Sequence, residues 1–508
     1  MKKFLYLFLI PVVITQAQST PDLESTVQKH VKNYYGDLYD FMSLPSNAHI
    51  KEHIQPNLDW LKKAFEKQGF TSEFLPTEGH PVFFAEKKPA AAAAGPLKTL
   101  LFYMHFDGQP VEPENWQQES PYKPVLKKRT ADGKWEMIEW KNLRTDYDPE
   151  WRIFARASSD DKGPILMLLA ALDMMQKENI KSPYHLKVIL DSEEEIGSPH
   201  LADMVKAYKN KLTGDFMMVM DGGRHLSNES TLTYGCRGIV RLTLATYGAR
   251  GAQHSGHYGN YLPNPALRLA QLLASMKDED GRVTIPGYYD GITIDDNTRK
   301  ILAAVPDDET VIKATAGIIS TDKVGANYQE ALQYPSLNIR GLVSANVGEK
   351  ANTIIPDKAI AEIDIRLVPE TEPKRMIRLV TEHIKSKGYY VLDGREPTEA
   401  ERMKYEKIAS VKSVIGSLPF RTDFGIYADR WLTAAMMRTF GKAPVKIRMM
   451  GGSVPIVPFL RELNIPAIHV PMVHLDNNQH AANENLRLGN YTEGIKTWLA
   501  ILTQEAVK

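Results

Sequence analysis

Cysteine is nearly absent. The chain of 508 residues has one, Cys236, so neither an internal disulfide nor a cysteine-built metal site is open to it. Charge of one sign is not in excess either: 62 Lys and Arg face 62 Asp and Glu. That balance argues against nucleic acid or an anionic membrane surface as the main partner. No internal repeat is visible, and no apolar run is long enough to span a bilayer. Apolar, aromatic and charged fractions of 43%, 9% and 24% place the chain among ordinary globular proteins. At this length two or three domains are expected.

What is there begins with "MKKFLYLFLIPVVITQAQST". Lys2 and Lys3 precede an apolar stretch from Phe4 to Ile14, and Thr15-Gln16-Ala17 offers a small-residue cleavage point. Residues 1–17 read as a signal peptide, too short for a membrane anchor, with no cysteine nearby to carry a lipid. The mature chain is therefore expected to be soluble and exported, to a periplasm or the outside of the cell.

Asp22 to Gly69 reads as two helices, "NLDWLKKAFEKQGF" being strongly amphipathic. "PAAAAAGP" (89–96) is a low-complexity surface loop. "LKTLLFYMHFD", "YHLKVILDS" and "DFMMVMDGG" are short apolar runs bounded like buried strands, and "PILMLLAALDMMQKEN" is a long apolar helix. Strands alternating with helices imply an α/β unit with a mainly parallel sheet covered on both faces. Past Tyr234 the pattern changes. "GIVRLTLATYG" and "KAIAEIDIRLVP" alternate with period two, with helices between and after them and "YYVL" as a last strand. One-sided alternation suggests an α+β unit with an antiparallel sheet. The chain thus reads as an α/β unit over 18–236, an inserted α+β unit over 237–395, and the α/β unit resumed over 396–508, its character plain again from about Leu418. Residues 121–151 suggest an extra hairpin.

In an open parallel sheet, ligands gather outside the carboxyl ends of the strands. The residues that follow each buried run form a consistent set: His105 and Asp107, then Glu193, Glu194 and Glu195, then Asp221, with His474 and His480 late in "VHLDNNQHAANE" and Asp160 and Asp161 before the long helix. Taken singly, each has a bland reading: a glutamate run is usually a solvated helix face, "DDKG" a helix cap, and Asp221 a turn residue. Together they are imidazoles and carboxylates without thiolates, a set that suits divalent metal. One ion would be over-supplied; two sharing a bridging carboxylate would not. In His105-x-Asp107 both side chains point the same way on an extended strand, so Asp107 can orient the imidazole. In a turn, adjacent Glu194 and Glu195 can diverge, one toward metal and one toward water as a base.

The motifs "HFDGQPV", "SSDDKGP", "EEEIGS", "FMMVMD", "HSGHYG", "IRLVP", "GGSVP" and "HAANE", in this order, resemble the co-catalytic metallopeptidases of the carnosinase and aminoacylase type, nearest to their carnosinase-like dipeptidase branch. The resemblance implies a two-metal aminopeptidase-like catalytic domain carrying a lid that also makes the contact of a homodimer. It implies His105 and Asp221 on one ion, Glu195 and His480 on the other, Asp160 bridging, Glu194 as base and acid, and Asp107 orienting His105. His480 is preferred to His474 because it opens "HAANE", and Asp161 would be structural. His254 would reach the partner subunit's site and polarise the scissile carbonyl. Arg366 would grip the substrate's free carboxylate, with Thr353, Gly452 and Ser453 lining the same pocket; the rival reading of Arg366 is an ion pair with Glu362 or Asp364. The implied activity is hydrolysis of dipeptides or short peptides with a free C-terminal carboxylate, by a water shared between two divalent ions, zinc first, manganese or cobalt as alternatives. The rivals are an N-acyl-amino-acid deacylase with the same site and a non-catalytic binding protein on this scaffold. Against the family pattern, Ala155-Arg156-Ala157 replaces Gly-Arg-Gly, Gly108 stands where Val is common, and Asp191-Ser192 replaces Glu-Gly. Glu193, left without a role, is expected to tolerate change best of the three glutamates.

Overall fold

A computed structural model describes residues 22–89, 98–145 and 147–507. The expected signal peptide and nearly all of the alanine-rich loop lie outside the described residues.

The larger sheet has eight strands, and its centre is parallel. Thr99–His105 pairs in parallel with His185–Asp191 on one side and with Phe216–Val219 on the other, and Ala467–His469 extends the parallel run. Antiparallel Val82–Lys87 and Thr71–Leu75 flank one side; Thr231–Thr233 and Val445–Ile447 finish the other. Side chains alternate between two covered faces. Leu100, Phe102 and Met104 pack in one layer with the helices Lys162–Lys177 and Leu488–Leu502, while Leu101 and Tyr103 pack in the other with Leu201, Met204 and Phe459. Burial on both faces explains why these strands read as unbroken apolar runs. Each large side chain buried this way contributes about 1.5–3 kcal/mol. Among the described residues, no helix is long and apolar enough to cross a membrane.

The second sheet has five strands in the order Ser336–Val343, Lys358–Leu367, Gly238–Tyr247, Ile408–Ile415, Tyr390–Asp393, antiparallel except for the last pair. Ala359, Ala361, Ile363, Ile365 and Leu367 form its buried face with the helices Pro265–Ala274 and Pro373–Ser386. This corrects one expected boundary. Ile408–Ile415 lies between two strands of this sheet, so the inserted unit runs past residue 415 rather than ending at 395. The first four residues of that strand are buried and the last four exposed, so it lacks the alternation that marked its neighbours.

Two smaller differences concern the first α/β segment. Its amino-terminal part holds three α-helices, Leu23–His30, Tyr35–Met42 and Ile54–Lys67, because a single 3-10 turn at Val31–Asn33 breaks the first periodic stretch. Residues 121–151 contain a hairpin of Val125–Arg129 and Trp135–Ile138, which joins Arg152–Phe154 and Asn485–Arg487 in a four-stranded sheet.

Candidate metal centre

The carboxyl edge of the parallel strands gathers the acidic and imidazole groups. His105 is the last residue of its strand, Asp221 follows Phe216–Val219 by two residues, and Glu194 and Glu195 stand in a 3-10 turn, Glu194–Ile196, just past Asp191. Gly197, at φ +87°, ends that turn in a conformation that favours glycine. Asp160 comes from the loop before the helix Lys162–Lys177, whose N-terminus favours negative charge. His480 comes from the loop between Ala467–His469 and Asn485–Arg487.

Two groups of donors result. His105, Asp160 and Asp221 place one ligand atom each within 4.8 Å of one another, and so do Asp160, Glu195 and His480. Asp160 is common to both. Its Oδ1 lies 2.9 Å from His105 Nε2 and its Oδ2 3.0 Å from His480 Nε2; His480 Nε2 is also 3.2 Å from Glu195 Oε2. Nitrogen and oxygen donors in two clusters sharing one carboxylate fit a pair of divalent ions. Cys236 stands apart, and burial pushes its thiol up to about 12. His474 belongs to neither cluster; its Nε2 meets Asn485 Oδ1 at 3.2 Å.

Burial pushes Glu194 well above the ordinary carboxylate range, the charges of Asp221, Glu195 and Asp160 adding to the push against the pull of His105. Burial and Asp160 raise Glu195 to about 8, and the same two causes raise Asp221 to about 6. Burial also acts on Asp160, but hydrogen bonds from His105 and His480 outweigh it and hold this carboxyl below its usual range. The hydrogen bond to Asp160 raises His480 to about 9. Such crowding of acids is what added positive charge would relieve.

The supporting contacts are specific. Asp107 Oδ1 lies 3.4 Å from His105 Nδ1, and its two oxygens accept the N–H groups of Glu194 at 3.2 Å and Glu195 at 3.0 Å. Asp107 therefore fixes both the imidazole and the glutamate turn. Gln109 Nε2 donates to Glu195 Oε2 at 2.6 Å. Asp161 is buried and accepts from the His105 N–H at 3.4 Å. Asp191 accepts from Tyr103 Oη, Ser198 Oγ and the Glu193 N–H, and so shapes the start of the turn.

Three findings go beyond or against the sequence reading. Glu484, the last residue of "HAANE", has no role in the sequence reading. It is fully buried and accepts from the N–H groups of Ala157, Ser159 and Asp160 at 2.9–3.0 Å and from Arg156 Nη1 at 2.9 Å. It thereby holds the loop that carries the shared ligand, including Ala157 at φ +61°, a value that favours glycine. Only the glutamate four residues after His480 hinted at this. Glu193 belongs to neither donor cluster but has a structural place: it is 5% exposed, accepts the His80 N–H at 3.1 Å and pairs with His200 Nδ1 at 2.7 Å.

The third finding concerns the substrate residues. A cleft of about 840 Å³ runs from Asp160, Glu194 and Glu195 to Arg366, Gly452 and Ser453. Arg366 touches Ser453 Oγ at 3.5 Å and Asp364 Oδ2 at 3.4 Å, so it has both a cleft position and an ion pair. Thr353 does not join them. It precedes Ile354–Ile355, which pairs with Gln253–His254 in a two-stranded ribbon separate from both sheets, and its carbonyl accepts the Ser255 N–H at 3.0 Å. His254 sits on this ribbon, exposed, its Nδ1 accepting the Gly256 N–H at 3.0 Å and its ring 4.5 Å from that of His257.

Comparison with known proteins gives a consistent picture. The model of peptidase family M20/M25/M40 matches residues 101–504. The chain is 28% identical to the Cys-Gly metallodipeptidase dug1 of Schizosaccharomyces pombe over 78% of each chain. It is 26% identical to the Beta-Ala-His dipeptidase of Mus musculus over 80% of this chain and 77% of that one. Among solved structures, an M20 family metallo-carboxypeptidase, Sso-CP2 from Sulfolobus solfataricus, superposes with a TM-score of 0.72 at 25% identity, covering 92% of this chain and 98% of its own.

Proposed function

The chain belongs to peptidase family M20/M25/M40, and from that premise we propose that it is an exported dipeptidase cleaving the amide bond next to a free C-terminal carboxylate. The dipeptidase names of its relatives support the substrate class. The observation that carries the reading is the pair of donor clusters joined at Asp160, with Glu194 beside them. His105 and Asp221 would hold one divalent ion, Glu195 and His480 the other, and Asp160 both; zinc suits these donors first, manganese or cobalt next. Ions so held supply Lewis acidity toward the scissile carbonyl and acidify water at the site.

The chain's own groups do the rest. Glu194, whose carboxylate a charged pair of ions would restore, takes a proton from the attacking water and returns it to the leaving amine. Asp107 keeps His105 oriented and the glutamate turn in register. Arg366, with Ser453 and Gly452, would receive the free carboxylate. His254 on its exposed ribbon would act on a partner subunit's substrate, as a carbonyl-polarising donor. The apolar stretch from Phe4 to Ile14 behind Lys2 and Lys3 supports export.

Glu194→Gln is expected to lower kcat by about 10²–10⁴-fold with both metals retained; undiminished turnover would sink the catalytic account. A panel of dipeptides set against N-acetyl amino acids separates the dipeptidase from the deacylase reading. Light scattering tests the dimer, and a monomer would contradict the role given to His254.

A further inference from the structure

His469 is a buried imidazole that the chemistry above does not use. It ends the strand Ala467–His469 and is 1% exposed, yet it borders the cleft. Among the described residues neither of its ring nitrogens has a hydrogen-bond partner. Buried polar groups are nearly always paired, and leaving one unpaired is costly. A leucine would fill the same space at no such cost, so the imidazole is explained best by a polar partner that arrives with substrate.

Its place says which part of the substrate. Along the sheet's carboxyl edge the strands order the groups as Glu194 and Glu195, His105, Asp221, His469, then Thr233, which is paired to His469 across the last antiparallel step. His469 is therefore the next group beyond the metal donors, on the side away from the glutamates. Its ring stacks on Phe420 at 5.8 Å. Phe420 pairs with Cys236, and the following residue, Arg237, bonds to the Gly452 carbonyl and to Ser453 Oγ. The imidazole thus lies beside the loop that, with Arg366, lines the carboxylate end of the cleft. Burial pushes it down to about 3, so it is uncharged at working pH, with one nitrogen donating and the other accepting.

We propose that His469 is a specificity-determining residue that hydrogen-bonds an uncharged polar side chain, a hydroxyl or an amide, on the C-terminal residue of the substrate. This rests on the reading that the cleft takes peptides with a free C-terminal carboxylate. A substrate with an aliphatic side chain there would leave both nitrogens unpaired.

The test uses the metal-loaded full chain and near-isosteric pairs: Ala-Thr against Ala-Val, and Ala-Asn against Ala-Leu. The wild type is expected to favour the polar member in kcat/KM by on the order of tenfold to a hundredfold. His469→Leu should erase or invert that ratio while still cleaving the apolar members, and His469→Asn should keep part of it. A wild-type ratio near one overturns the proposal whatever the variants do. So does the same ratio in wild type and His469→Leu, since a merely structural histidine would lower all four substrates alike. If the wild type cleaves no dipeptide, the dipeptidase reading has failed instead; the comparison then moves to N-acetyl-Thr against N-acetyl-Val, where a ratio near one, or no turnover, overturns this proposal too.

Discussion

The two sheets handle polar residues in opposite ways. The eight-stranded sheet is covered on both faces and sends its acids to one edge, where each is buried and held: Asp107 by two backbone N–H groups and Asp191 by Tyr103 and Ser198, while Glu484, from the loop just before Asn485–Arg487 of the four-stranded sheet, is buried beside that edge and held by four donors. The five-stranded sheet is fully covered on one face, its other face carrying only a small cluster of Ala245, Tyr247, Leu392 and Ile408 at one end. On its open face Glu362 meets Arg340 at 3.3 Å and Thr243 Oγ1 at 3.0 Å, with solvent around the pair. Buried charge needs partners and surface charge does not. Reactive groups are therefore concentrated on the covered sheet, while the open one serves as a wall that lends Arg366 to the cleft.

The contrast can be broken at several strengths. Removing the ions with a chelator is expected to abolish turnover and to lower the melting temperature. The gap between metal-loaded and metal-free enzyme should widen from pH 5.5 to 8.5. Without cations Glu195 sits at about 8 and Asp221 at about 6, both raised by burial, so the unfolded chain ionises first and metal-free stability falls as pH rises through that window. His480, held at about 9 by Asp160, loses its contribution over the upper part of the same rise. A gap that stays constant or narrows contradicts this account.

Next in size is Glu484→Gln, which leaves Arg156 buried without its counter-charge. Chemical denaturation should show a loss of about 3 kcal/mol or more, and Asp160 should lose its place, seen as lower metal content. Glu193→Gln removes a buried acceptor from His200 and is expected to cost about 1–2 kcal/mol. Glu362→Gln on the open face should change stability by less than about 1 kcal/mol. If Glu362→Gln costs as much as Glu484→Gln, the contrast between the sheets fails.

Much of this was legible in the sequence because strands fully buried on two faces stand out as apolar runs, and the residues just past them mark one edge. His105, Asp160, Glu195, Asp221 and His480 come from such positions or from motifs beside them. What stayed hidden depends on distant pairing. Glu484 acts on residues more than three hundred positions earlier, and nothing near "HAANE" says that its glutamate turns inward. His469 looks like one more residue of an apolar strand until the fold shows it at the edge of the cleft. Ile408–Ile415 loses its alternation because only its first half is covered. The motif around Thr353 points to the cleft, but its bond to Ser255 beside the His254 ribbon decides where it goes.

The grip of Glu484 on the Asp160 loop has a bearing on how the protein is made. His105, Asp160, Glu195 and Asp221 all emerge in the first half of synthesis, three mutually repelling carboxyl groups with one imidazole among them. The strand Asn485–Arg487, which pairs with Arg152–Phe154, and the two residues that complete the centre, His480 and Glu484, arrive only after the entire five-stranded unit has been made. A growing chain thus carries half of a metal site with nothing to lock its shared ligand. The second donor cluster is complete only once His480 has been made, and a chain cut short before residue 480 would lose with it the helix Leu488–Leu502 that covers one face of the parallel sheet.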